Sequence, residues 1–177
     1  MLEPYQLLDP ELTKSILEYF PTPLATAYQR LLQAETWHDR SYRALALFDY
    51  GIRSLTLIYV RQYLLQDSAK GFNHQGLNQA LSKFNQPTLG AWLEILFTAL
   101  DAYKDQRELH PFPELHDAYE DQEQGRAFRR ACQEIVQIRN GVVHRFVPDT
   151  EEEWKEVSNQ LFLHLQTVLN LFKFIQK

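Results

Sequence analysis

Cysteine is almost absent from this sequence of 177 residues, Cys132 being the single one. That excludes an internal disulfide and a zinc site built on several thiolates. No run of about eighteen uncharged apolar residues occurs, which excludes a bilayer-spanning helix on length grounds. The opening Met1-Leu2-Glu3-Pro4 lacks a basic segment leading into an apolar one, so no secretory signal and a cytoplasmic location are expected. His38, His74, His110, His116 and His164 show no metal-ligand spacing with nearby acids or thiolates; even His110 with His116 lies in a proline-broken stretch. No metal or cofactor is therefore expected. Repeats, low-complexity segments and linkers are missing as well. Positive charge is in deficit: 18 Lys and Arg against 23 Asp and Glu give a net −5, which argues against a general nucleic-acid-coating protein.

What is present is enough for a folded globule. Apolar residues make up 45 % and aromatic residues 13 % of a chain of one-domain length. The apolar spacing is helical almost throughout. Asp9-Pro10 reads as an N-cap followed by proline at the first helical position, opening a helix that ends near Phe20. Thr22-Pro23 repeats the signal for a helix to about Glu35. A long helix over roughly 39–66 carries Leu45, Phe48, Ile52, Leu55, Tyr59 and Tyr63 at spacings of three and four. Tyr59 and Tyr63 read as core, with nucleotide stacking as the lesser alternative. A loop over 67–76 precedes a short helix through Leu77, Leu81 and Phe84 that stops before Pro87.

Thr88 then caps a helix with Trp92, Leu93, Leu96, Phe97, Leu100 and Tyr103 on its apolar face. His110-Pro111-Phe112-Pro113 breaks the pattern, because proline removes a donor and restricts its predecessor. The next helix is expected over 122–146, with Phe128, Cys132, Ile135, Val142 and Phe146 on one stripe. Thr150 with Glu153 forms a capping-box pattern for a last helix carrying Trp154, Val157, Leu161, Leu165, Val168 and Phe172. That pattern is still running at Lys177, so a longer parent chain is an open expectation.

The segment from Arg126 to Arg145 is locally cationic: arginines 126, 129, 130, 139 and 145 against the one acid Glu134, with acid-rich stretches on both sides. Two readings stand open, a confined phosphate site or arginines spread around a solvated helix. Within it, Ile138-Arg139-Asn140-Gly141-Val142-Val143-His144-Arg145-Phe146-Val147 sets an arginine, an amide and a histidine within six positions. On a helix, Asn140 and His144 lie one turn apart on one face, with Arg139 beside them. A guanidinium holds phosphate in two-pronged fashion, and an imidazole moves a proton near neutral pH. Asn140-Gly141 could instead open a type I′ turn, but the resulting strand would have no partner, and helix is preferred.

This stretch resembles the R-x(4–6)-H signature of the HEPN superfamily (higher eukaryotes and prokaryotes nucleotide-binding domains), as Arg139-Asn140-Gly141-Val142-Val143-His144, with the common polar residue after the arginine. The resemblance covers helices 39–66, 88–105, 122–146 and 150–176. It implies an all-α fold: a HEPN-like four-helix bundle over 37–177 with an added helical hairpin over 1–36, compact as one domain. It further implies a homodimer whose two motifs face one cleft, and a metal-independent endoribonuclease of defence, toxin–antitoxin or RNA-processing systems acting on RNA phosphates. Arg139, Asn140 and His144 would be its catalytic residues, supported by Asp49, Gly141 and Arg145. The alternative within the family is a non-catalytic nucleotide-binding, interaction or dimerisation module of a larger signalling or defence system. An antitoxin or an adjacent partner protein is a further expected partner. HEPN toxins modified by nucleotidyltransferase antitoxins often carry tyrosine two residues after the histidine; Phe146 stands there, which disfavours that regulation.

Each site residue also has a structural reading. Arg139 on an apolar stripe needs a carboxylate, a phosphate or a partner chain, and an ion pair inside the bundle would serve. His144 fits a helix end by dipole alone. Gly141 either leaves room for a phosphate or an opposing subunit, or caps the helix. Asp49 either pairs with Arg53 one turn on or turns inward to orient His144 or Arg139.

Overall fold

The computed structural model describes residues 9–70, 73–85, 88–144 and 147–172, with side chains of 67–70 excepted. Among the described residues the chain is all-α, with no strand. The helices are α1 (Pro10–Tyr19), α2 (Thr22–Leu32), α3 (Trp37–Lys70), α4 (Gln75–Leu81), α5 (Leu89–Ala102), α6 (Pro113–Glu120), α7 (Gln122–His144) and α8 (Glu151–Leu171). Short 3-10 turns follow α4 at Ser82–Asn85 and precede α6 at Arg107–Leu109.

Capping chemistry sets most of these boundaries. The Asp9 carboxylate accepts from Glu11 N at 3.1 Å, with Pro10 in the first turn of α1. In α2 the cap shifts one residue from the expected Thr22: Pro21 takes the position, and its carbonyl accepts from Leu24 N at 2.8 Å. Helix α2 also ends at Leu32, short of Glu35. Helix α3 begins two residues before the expected Asp39, because Thr36 Oγ1 accepts from Asp39 N at 3.1 Å. It continues past Gln66 to Lys70. Thr88 caps α5 as expected, accepting from Ala91 N at 3.2 Å. Thr150 and Glu153 close a full capping box on α8.

Helix α6 was not expected. Pro113, read only as a breaker, occupies its first turn, where its missing N–H costs nothing. Asp121 then separates α6 from α7, accepting from Glu123 N at 3.0 Å and Gln124 N at 2.8 Å. The turn is tight: a Cβ on Gly125 would lie 2.0 Å from the Tyr119 carbonyl oxygen, so only glycine fits.

Two compact units are formed, one from 1–48 with 126–177 and the other from 49–125; α3 contributes to each. In the first, α1 and α2 bury Leu12, Ile16, Leu24, Tyr28 and Leu31, and Thr13 bonds the Tyr28 hydroxyl at 2.8 Å. Phe128, Cys132 and Ile135 of α7 and Leu161, Leu165 and Val168 of α8 are buried in the same unit, and the Phe128 and Phe172 rings pack 6.4 Å apart. Burial pushes the Cys132 thiol well up, so it is not a nucleophile in this fold. The second unit buries Ile52, Leu55, Tyr59 and Tyr63 of α3 with Leu93, Leu96 and Leu100 of α5. Tyr63 donates to Asn78 Oδ1 at 2.8 Å and the Tyr59 hydroxyl lies 2.8 Å from His110 Nε2. Both tyrosines are core, and neither presents a face for stacking a base.

Candidate functional site at the end of helix α7

The motif occupies the last two turns of α7, so the I′-turn alternative at Asn140-Gly141 does not hold. What positions these turns is a small apolar cluster. Val142 is buried with Trp37 and Trp154, and the half-buried Ile138 and Val157 pack against them. Trp37 is the first residue of α3, and its backbone N–H donates to the Glu151 carboxylate at 3.2 Å. Trp154 meets the His38 ring edge-on at 4.6 Å and the Tyr42 ring at 5.8 Å. The C-terminal end of α7 is thus seated against the N-terminal turns of α3 and α8.

That seating changes the expected position of Arg139. The spacing put it on the buried stripe of Phe128, Cys132, Ile135 and Val142. Here the buried face swings toward Ile138 and Val142, leaving Arg139 half-buried at the edge. It is not an interior charge in need of an ion pair. Its Nη1 instead donates to Asn140 Oδ1 at 3.0 Å. Asn140 and His144 are both exposed, and their spacing of four puts them on one face. Through this bond the guanidinium leans toward the helix face on which Asn140 and His144 lie.

Gly141 lies inside the helix, so it is not the C-cap, and a Cβ built there meets nothing within 4 Å. The space a phosphate or an opposing subunit would need is open. Arg145 and Phe146, the remaining supporting residue and the last of the expected stripe, lie outside the described residues. Asp49 pairs with Arg53 at 2.8 Å, both side chains about a third to two-fifths exposed, as a surface i,i+4 pair. No group of three or more His, Cys, Asp or Glu among the described residues is arranged to hold a metal.

Sequence reasoning missed the neighbours of the motif. Arg40 is 3 % exposed, its guanidinium 4.8 Å above the Trp37 ring, and Lys155 Nζ lies 5.9 Å from the same ring. The Thr36-x-x-Asp39 capping pattern would have found Arg40, since it starts the helix at Trp37 and sets Arg40 one turn on; no local signal brings Lys155 to the same ring.

The chain matches no family model, no curated protein and no solved structure. No helix among the described residues is long and apolar enough to cross a membrane. The functional reading therefore rests on the residues of the motif and their geometry.

Proposed function

We propose that this chain is a metal-independent endoribonuclease of the HEPN type, acting in the cytoplasm as a homodimer in a defence, toxin–antitoxin or RNA-processing setting. The observation that carries the reading is the grouping on one side of α7: the Arg139–Asn140 hydrogen-bonded pair and, one turn beyond Asn140, the exposed His144. In the proposed reaction the RNA 2′-oxygen attacks the adjacent phosphorus while the bond from phosphorus to the 5′-oxygen breaks. The 2′ proton passes to an imidazole and the departing 5′-oxygen collects a proton, which two His144 side chains facing one cleft can supply in turn. Arg139 stabilises the charge that builds on the phosphorane-like transition state, and Asn140 holds the guanidinium in place. The products are a 2′,3′-cyclic phosphate and a 5′-hydroxyl; DNA, lacking the nucleophile, is inert.

Dimerisation is part of this proposal, and its support is the open side of α7 at Gly141 rather than a buried arginine. Light scattering should report about twice the chain mass, as for the commonest closed symmetry. Cleavage of single-stranded RNA in EDTA by the wild type, and its loss in His144→Ala, tests the chemistry. Undiminished cleavage by that variant sinks the assignment. The second reading, a non-catalytic HEPN nucleotide-binding or interaction module bound to a partner protein such as an antitoxin, draws on the acidic net charge of −5. It predicts RNA or nucleotide binding without turnover.

A further inference from the structure

We propose a second phosphate-binding position in this chain, formed by the Arg40 guanidinium and the Lys155 ammonium, which both lie beside the Trp37 ring. It concerns binding alone, and stands whether or not the Arg139–His144 motif cleaves RNA.

Arg40 is the most anomalous charge among the described residues. It is 97 % covered, yet its Nε and Nη1 have no hydrogen-bond partner. Buried guanidinium groups are kept where something compensates them, and here the Trp37 ring at 4.8 Å covers one face but accepts no N–H in the plane. The acids of this corner are committed elsewhere. Asp39 takes the Arg43 Nε at 2.7 Å, and Glu151 accepts from Trp37 N at 3.2 Å. Uncompensated burial also pulls the Arg40 pKa down.

Further polar groups in this unit want partners. Ser41 and Ser158, one turn beyond Trp37 and Trp154, have buried hydroxyl oxygens with no hydrogen bond. Lys155 adds a second cation 5.9 Å from the Trp37 ring. The positive end of the 34-residue helix α3 lies at the same place. Each two-pronged edge of the Arg40 guanidinium includes one of the two unpartnered nitrogens, so an oxyanion on either edge would satisfy it. Two cations call for a doubly charged ligand, and the Glu151 carboxylate, present at this corner, leaves Arg40 unpaired. A phosphate dianion fits better than a carboxylate. Trp37 shares its cluster with Val142, two residues before His144, so the position adjoins the motif end of α7 without using its residues.

The test is thermal unfolding and calorimetric titration of the full chain with inorganic phosphate, with 5′-AMP, with a short oligoribonucleotide and with acetate. The RNA arm uses the His144→Ala background to prevent cleavage. Phosphate at a hundred times its Kd should raise the Tm by about 5–10 °C. Arg40→Met should abolish that shift while leaving its own phosphate-free Tm equal to or above that of the wild type, because an unpaired buried charge has been replaced by an apolar side chain. Lys155→Ala should weaken binding by about tenfold at unchanged Tm, the scale of one charge-assisted contact. Binding of AMP or RNA that is tighter than that of phosphate, and that Arg40→Met weakens, identifies the source as a nucleotide; equal Arg40-dependent binding identifies free phosphate. The proposal is overturned by an absent phosphate response, by an equal response to acetate, or by an undiminished response in Arg40→Met. Should Arg40→Met not fold, Arg40→Lys, which keeps charge but not the fork, must show weakened phosphate binding; full affinity there would also overturn it.

Discussion

The Arg139 guanidinium donates from Nη1 to the side-chain oxygen of Asn140 at 3.0 Å, tying two adjacent residues of α7 into one group. Neighbours on a helix point about 100° apart, so only a long side chain can double back in this way. The bond draws the guanidinium away from the buried face, where Ile138 and Val142 enter the Trp37–Trp154 cluster, and toward the face that carries His144. Asn140 thus fixes where the Arg139 guanidinium lies, and under the proposed function it would act through Arg139 rather than on the substrate.

The first prediction follows from that pairing. In RNA cleavage, or in nucleotide binding if there is no turnover, Arg139→Ala and Asn140→Ala should be non-additive. A double-mutant cycle should return a coupling of about 0.5–3 kcal/mol, the range for residues sharing a hydrogen bond. Arg139→Lys should retain more function than Arg139→Ala but less than wild type, since lysine keeps the charge without the fork. Additive losses would show that Asn140 acts independently of Arg139.

Gly141 separates stability from function. Its Cβ position is empty to 4 Å and it sits within α7, so Gly141→Ala should stabilise the chain by about 0.5–1 kcal/mol in urea unfolding. If a phosphate or a second subunit approaches there, the same variant should lose cleavage or dimerisation. A more stable protein with unchanged activity and mass would remove Gly141 from the site.

Most of the helical architecture was legible because caps and apolar spacing are local. Thr88 and Thr150 with Glu153 each announce an element within one turn of sequence, and the series from Leu45 to Tyr63 does so by steps of three and four. Helix α6 escaped because Pro113 closes one segment and opens the next, and the two roles look alike in sequence. For the site, Asn140 and His144 on one face was legible from their spacing alone. The half-exposure of Arg139 was not, since it depends on Trp37 and Trp154, more than a hundred and about fifteen residues distant respectively, drawing Ile138 and Val142 inward. Arg40 escaped for a local reason: with the helix start read at Asp39, the Thr36 cap and Trp37 one turn before Arg40 were overlooked, and a charge at a helix start reads as solvated.

Acid stability should be governed in part by His110. Burial, followed by the neighbouring positive charge of His116, holds its pKa down to about 4, against 6.5 for an unhindered histidine. The folded state therefore resists the proton that the unfolded chain accepts. Its contribution is fully present above pH 6.5 and is lost as pH falls toward 4, with a limit of roughly 3 kcal/mol for a shift of this size. Urea midpoints between pH 7 and 4 should fall more steeply for wild type than for His110→Gln, which has no proton to take up. Parallel slopes would show that other groups carry the acid sensitivity.

The final prediction contrasts Val142 with His144, two residues apart on the same helix. Val142 is 4 % exposed between Trp37 and Trp154, whereas His144 is exposed. Val142→Ala should destabilise the chain by about 1–3 kcal/mol, from lost burial and the cavity left beside the tryptophans. His144→Ala should stay within about 1 kcal/mol, as for a surface position. Because Val142 anchors the turn from which Asn140 and His144 project, its truncation should also loosen them. Amide exchange at 140–144 should speed up in Val142→Ala but not in His144→Ala, and any cleavage should drop in both. Fast exchange at these amides already in the wild type would mean the tryptophan cluster does not hold the motif in place.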